Sequence, residues 1–177
     1  MSFIPRWTKT VSGNNVILKQ NTFFITNEFS TIKSINSYKM QFAFCNCTGL
    51  TSVSFPALTS ISTYGMYETF NGCTGLTSVS FPVLSSISNY GMYETFYRCT
   101  GLTSVSFPAL TTSGTSITGS TSSTNPFYHC FYQCTGITEV HFPTAFADKS
   151  SYLTPTILFG GTTTTYCNAN LQILFDL

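Results

Sequence analysis

Between Leu76 and Phe81 the chain alternates apolar and hydroxyl-bearing residues: Val79 and Phe81 are interleaved with Ser78 and Ser80. A period of two predicts a short β-strand with one apolar face and one hydroxylic face. Pro82 has no N–H to give to a ladder and ends the strand. Beyond it, Leu84, Ile87, Tyr90, Met92 and Phe96 predict a turn and a short helical segment whose apolar side chains point back to a core.

That pattern recurs. The phrase CTGLTSVSFP begins at Cys47, Cys73 and Cys99, and a variant, CTGITEVHFP, begins at Cys134. Phe44, Phe70, Phe96 and Phe131 each stand three residues before the repeat cysteine, and YGMYETF occurs at both Tyr64–Phe70 and Tyr90–Phe96. An earlier, degenerate copy falls on Phe24, Phe29, Ile32, Ile35, Tyr38, Met40 and Phe44. One unit cannot bury these side chains alone, whereas stacked units form a continuous core. The expected architecture is an α/β repeat solenoid of four to five coils. It carries a parallel β-sheet on one face and short helical or irregular segments on the other. Residues 1–20 are expected as a hairpin-like N-terminal cap, with a turn at Ser12-Gly13-Asn14-Asn15, and residues 21–143 as the solenoid. Residues 144–177 are expected as a C-terminal cap that finishes on a closing strand through Leu171, Ile173, Phe175 and Leu177. The fourth unit is nine residues longer than the others, and the extra length falls within 111–126, a Ser/Thr/Gly stretch that reads as a loop.

The spacing Leu76-x-x-Val79-x-Phe81, the phrase F-x-x-C-T-x-L and the proline that closes each strand resemble the BspA-like class of bacterial leucine-rich repeats over about residues 24–143. The resemblance implies a right-handed coil. It also implies an adhesion or recognition module at an exposed surface, and such repeats occur among phage-encoded proteins too. The chain shows no apolar run of signal-peptide length and no stretch long enough to span a membrane, which turns the expectation toward an extracellular or virion-surface location.

Composition narrows the function classes. Of 177 residues, 53 are Ser or Thr, and only 7% are charged, with a net charge of +1. Seven scattered cations form no basic patch, so nucleic acid is excluded as a partner. An aromatic content of 16% is incompatible with a disordered tail. Low surface charge favours association with other copies of the chain. The expected partners are therefore a cell-surface protein or glycan and further copies of the chain.

Candidate chemistry follows from the repeat register. Cys47, Cys73, Cys99 and Cys134 occupy one position and are expected as a buried structural ladder of free thiols, with Cys45, Cys130 and Cys167 outside it as the reactive or paired ones. His129, Cys130, Cys134 and His141 do not converge as zinc requires, so no metal or other cofactor is expected. Ser106, His141 and Glu139 share a strand face, but nothing there supplies an oxyanion hole, so no catalytic residue is assigned. Gly160-Gly161 followed by four threonines is a loop and not a phosphate cradle. The expected binding positions are two outward files, Ser52, Ser78, Ser104 and Glu139 beside Ser54, Ser80, Ser106 and His141, together with Thr115 and Thr118 of the insertion.

Overall fold

The computed structural model describes residues 7–12, 15–20, 29–112, 115, 117 and 124–177. An antiparallel hairpin, β1 (Trp7–Ser12) and β2 (Asn15–Gln20), comes first, paired from Trp7–Gln20 to Ser12–Asn15. Short strands then recur: β3 (Ser34–Ile35), β4 (Ser52–Ser54), β5 (Ser60–Ile61), β6 (Ser78–Ser80), β7 (Ser86–Ile87), β8 (Ser104–Ser106), β9 (Glu139–Phe142) and β10 (Gln172–Phe175). All pairing among these strands is parallel. β4, β6, β8, β9 and β10 follow one another along the front of five coils, and β3–β5–β7 form a second, narrower sheet on the flank.

The front ladder has one interruption. β4 pairs β6 and β8–β9–β10 pair together, but β6 and β8 lie side by side without strand pairing. Thr77 N–H reaches Thr51 O and Phe55 N–H reaches Ser80 O across the intact β4/β6 step. Across β6/β8, among the described residues, the matching Thr103 and Phe81 N–H groups have no such partner. Val79, at this seam, is half-buried, whereas Val53 and Val105 are buried.

The return segments are not helical. Odd-numbered amides of residues 67–73 bond three residues back, as Thr69 N–H does to Met66 O. The even-numbered ones cross to the next coil: Met66 to Gly91 O, Glu68 to Tyr93 O, Phe70 to Thr95 O and Gly72 to Tyr97 O. Alternation of this kind needs a left-handed residue every fourth position, seen at Tyr64, Glu68 and Gly72 and again at Tyr90, Glu94 and Arg98. Each non-glycine in that region costs roughly 1–2 kcal/mol. The expected short helix gives way here because its amides would bond only within one coil, while these tie coil to coil.

Inside, side chains stack in files. Phe44, Phe70, Phe96 and Phe131 lie with ring centroids 5.2, 5.5 and 5.7 Å apart, and Phe55, Phe81, Phe107 and Phe142 with 5.4, 5.9 and 5.5 Å. Each fully buried Phe contributes about 1.5–3 kcal/mol relative to exposure. The hydroxyl-rich composition also has a structural use. Thr59 donates to Lys33 O, Thr77 to Thr51 O, Ser85 to Thr59 O and Thr111 to Ser85 O, each one 26-residue unit back. Buried Thr69 and Thr95 do the same to Met40 O and Met66 O at 2.8 Å.

After the 3-10 helix at Thr144–Tyr152, residues 155–175 complete a fifth coil. Helix α1 (Pro155–Phe159) occupies the place of a return segment. Thr154 caps it by accepting Ile157 N–H, and Gly160 at φ 84° ends it. His129 N–H and Phe131 N–H donate to Ile157 O and Leu158 O, so the helix stacks on the fourth coil as another repeat would.

Candidate recognition site

The cysteine ladder is buried, and the thiols of Cys73, Cys99 and Cys134 each have a carbonyl acceptor. Cys73, Cys99 and Cys134 donate to Phe44 O, Phe70 O and Phe96 O at 3.0, 3.1 and 2.7 Å. All seven cysteines are free. Burial pushes the Cys47 thiol up to about 11 and raises Cys73, Cys99 and Cys130 as well. Cys130 and Cys167 do not behave as the reactive or paired pair expected of them. Both are buried, and the backbone of Cys167 pairs with that of Cys134 in an isolated parallel β-bridge, extending the ladder into the fifth coil. Cys45 is the partly exposed thiol, and burial and then Glu68 raise its pKa too. Among the described residues, no three His, Cys, Asp or Glu side chains are grouped to hold a metal ion.

On the front face, Ser52, Ser54, Ser78, Ser80, Ser104 and Ser106 are exposed, in register as Ser52–Ser78, Ser54–Ser80, Ser104–Glu139 and Ser106–His141. This surface is open and without walls. His141 does not turn to Ser106. Its Nδ1 lies 2.9 Å from Asp176 Oδ1 and its Nε2 3.3 Å from Glu139 Oε2. The hydrogen bond to Asp176 is the largest cause of a raised imidazole pKa; burial, next in size, opposes it, and the bond to Glu139 adds to the rise. An imidazole with both ring nitrogens engaged by carboxylates ties neighbouring strands together and offers no free nitrogen to act as a general base.

The insertion is anchored at described points. Thr115 is buried, and its Oγ1 accepts Ile87 N–H at 3.2 Å where the β3–β5–β7 sheet ends. This overturns its expected role in ligand contact: the hydroxyl stands in for the next strand's carbonyl and does not face solvent. Ile117 and Asn125 are buried beside it, and Asn125 Nδ2 donates to Tyr152 O at 2.8 Å. Thr118 lies outside the described residues.

A groove lies on the return segments, where the sequence predicts only core. Tyr90, expected to point inward, is partly exposed and stacks on Tyr64 at 4.9 Å, which in turn stacks on Tyr38 at 5.2 Å. A second file runs Tyr67, Tyr93 and Tyr128, with centroids 5.1 and 5.8 Å apart, and a third pairs Tyr97 with Tyr132 at 5.0 Å. Glu68, Glu94 and His129 share one repeat position between the second and third files. Together with Asn71 they form an open groove of about 570 Å³ over coils two to four, tyrosines on both sides and acids between.

Its electrostatics are one-sided. Burial raises the Glu94 pKa, the Tyr93 hydroxyl bonded to it pulls it back, and Glu68 pushes it up again. Glu68 accepts from Asn71 Nδ2. His129 Nδ1 is 3.9 Å from Glu94 Oε1, beyond hydrogen-bond reach, while its ring lies flat on Tyr128 at 3.9 Å. Burial lowers the His129 pKa and so disfavours a cationic imidazole beside the acids. Arg98 does not line the groove. Its Nε donates to Gln133 Oε1 at 2.7 Å and its guanidinium lies 5.0 Å from the Tyr97 ring centre. The signal for this site was present in YGMYETF, whose tyrosines and glutamate recur at one register; a helical reading of the segment put Tyr90 on the inside.

Comparison with known proteins agrees with this architecture. The BspA type leucine-rich repeat region is matched over residues 17–124, in six copies. No curated protein matches the chain. Among solved structures, the crystal structure of a T. pallidum leucine-rich repeat protein is similar over 98% of this chain and 80% of that one, at 15% identity and a TM-score of 0.42. With more than half its length matched and its coils stacked in that register, the chain belongs to the BspA-type leucine-rich repeat family.

Proposed function

We propose that the chain is a non-enzymatic recognition module of an exposed surface, that of a bacterial cell or a phage particle, binding a cell-surface protein or glycan. The observation that carries this reading is the groove of Glu68, Glu94 and His129 between tyrosine files, built from side chains that repeat coil after coil on a rigid frame. The serine files of the front face supply a second, flat polar surface. Hydroxyl contacts are individually weak, and display in many copies multiplies them. Among the described residues no helix is long and apolar enough to cross a membrane. The test is retention of the immobilised full chain on arrays of glycans and of extracellular proteins. Selective binding to one class is expected. Failure to retain any member of either array, or hydrolytic turnover lost on substituting His141 or Ser106, removes the reading.

Self-assembly is the second reading. Among the described residues β10 has one strand neighbour, β9, and its Ile173, Leu174 and Phe175 are only partly buried. A free strand edge with apolar side chains is a template for another copy. Light scattering on a size-exclusion column separates the two. A ~19 kDa monomer leaves recognition alone, and regular oligomers or filaments make assembly the primary role.

A further inference from the structure

Given the recognition role proposed above, we infer that the groove of the return segments takes an extended, lysine- or arginine-bearing segment of a partner protein. Its cationic heads would sit on Glu68 and Glu94 and its apolar stems between the tyrosine files. The argument is charge complementarity within a shaped groove. Two of the chain's six acids stand at successive coils in the same 570 Å³ groove, and no described lysine or arginine lines it. Among the described residues the nearby cation Arg98 is engaged by Gln133 and the Tyr97 ring. Glu94 is only 20% exposed and His129 22%. A cation placed between them is therefore shielded from water and attracted more strongly than at an open surface.

The walls select what carries the charge. The tyrosines stack on one another along each file, at interplanar angles of 11° for Tyr67–Tyr93 and 12° for Tyr97–Tyr132. Ring faces within a file are thus covered by neighbouring rings, leaving aromatic edges and hydroxyls to line the groove. Such walls suit an unbranched methylene stem with a charged tip. Acid groups at coil spacing, about 4.8 Å, lie close enough together for the long, flexible side chains of neighbouring lysines or arginines to reach both.

The experiment is calorimetric titration of the full chain with acetylated, amidated tetralysine, and separately with maltohexaose. Tetralysine is expected to bind one to one, more weakly at high salt. The Glu68→Gln/Glu94→Gln double variant is expected to weaken it about tenfold or more. Asp148→Asn, on the exposed 3-10 helix, leaves the affinity unchanged. The tyrosine near-UV dichroism reports whether the double variant keeps its fold. If it does not, His129→Lys, which sets a fixed cation beside Glu94, must weaken binding instead. Absence of tetralysine binding, equal binding by the variants, or maltohexaose binding lost in the double variant overturns the inference. Tetralysine bound in the groove by a chain that retains no member of the arrays would sink the recognition role and leave the cation site standing.

Discussion

Thr115 Oγ1 accepts the backbone N–H of Ile87 at 3.2 Å, and with that single bond a side chain closes the edge of the flank sheet. A buried edge amide needs an acceptor, and the insertion that interrupts the repeat supplies one from a hydroxyl. Thr115→Val keeps the shape and removes the acceptor, leaving Ile87 N–H unsatisfied. The expected loss is about 1–3 kcal/mol in urea unfolding, with no change in tetralysine affinity.

The thiols allow a count. In the native protein an excess of Ellman's reagent should modify at most one of the seven cysteines, Cys45, and slowly, because its raised pKa keeps the thiolate scarce. In denaturant all seven should react. Fast modification of two or more in the folded chain would contradict a buried ladder running from Cys47 to Cys167.

His141 makes stability depend on pH with a definite sign. Its pKa is raised in the folded state, first by Asp176 and also by Glu139. The folded state therefore holds its proton more tightly than the unfolded chain. The stabilisation is fully present below the unfolded value, about 6.5, and is lost as pH rises through the folded value. The stability difference between the native sequence and His141→Gln should be larger at pH 5.5 than at pH 8.5. The His141 Hε1 resonance should titrate above the ordinary histidine value, and Asp176→Asn should lower that midpoint.

Gly101 sits where a Cβ would lie 2.6 Å from Thr74 O of the coil before. Two backbones approach too closely there for any side chain. Gly101→Ala should cost about 1–3 kcal/mol by forcing the coils apart, read as a lowered midpoint in urea.

The seam between β6 and β8 should be visible in hydrogen exchange. Thr103 and Phe81 amides are expected to exchange much faster than Thr77 and Phe55, whose N–H groups are held across the β4/β6 step. Equal protection at the four amides would show an unbroken ladder.

Much of the frame is legible in the sequence because strands and core obey a local rule. Val53, Val105 and Val140 point inward and their serine or glutamate neighbours outward, as a period of two requires. The cysteine file is legible for the same reason, since position in the repeat decides burial. The return segments are not. Their left-handed residues, such as Glu68 and Glu94, are chemically ordinary, and only bonding to the neighbouring coil makes that backbone worthwhile. Hence Tyr90 was assigned to the wrong side and the groove beside it was missed. Thr115 was illegible for a different cause: nothing in a Ser/Thr-rich stretch marks which hydroxyl meets an orphaned amide. The closing strand of the fifth coil is legible and appears as β10, but the return segment before it is not, because α1 and the Cys134-to-Cys167 interval follow neither the phrase nor the spacing of the others.

The hydroxyl bonds that reach back one unit, from Thr59 to Lys33, Thr77 to Thr51 and Ser85 to Thr59, depend on nothing farther away than the adjoining coil. A gene that gains or loses one 26-residue block in frame therefore leaves every remaining hydroxyl with an equivalent carbonyl. Length in this chain is a heritable variable that unequal recombination can adjust without first solving a folding problem, and the span of the stack can drift generation by generation while each coil stays as it was.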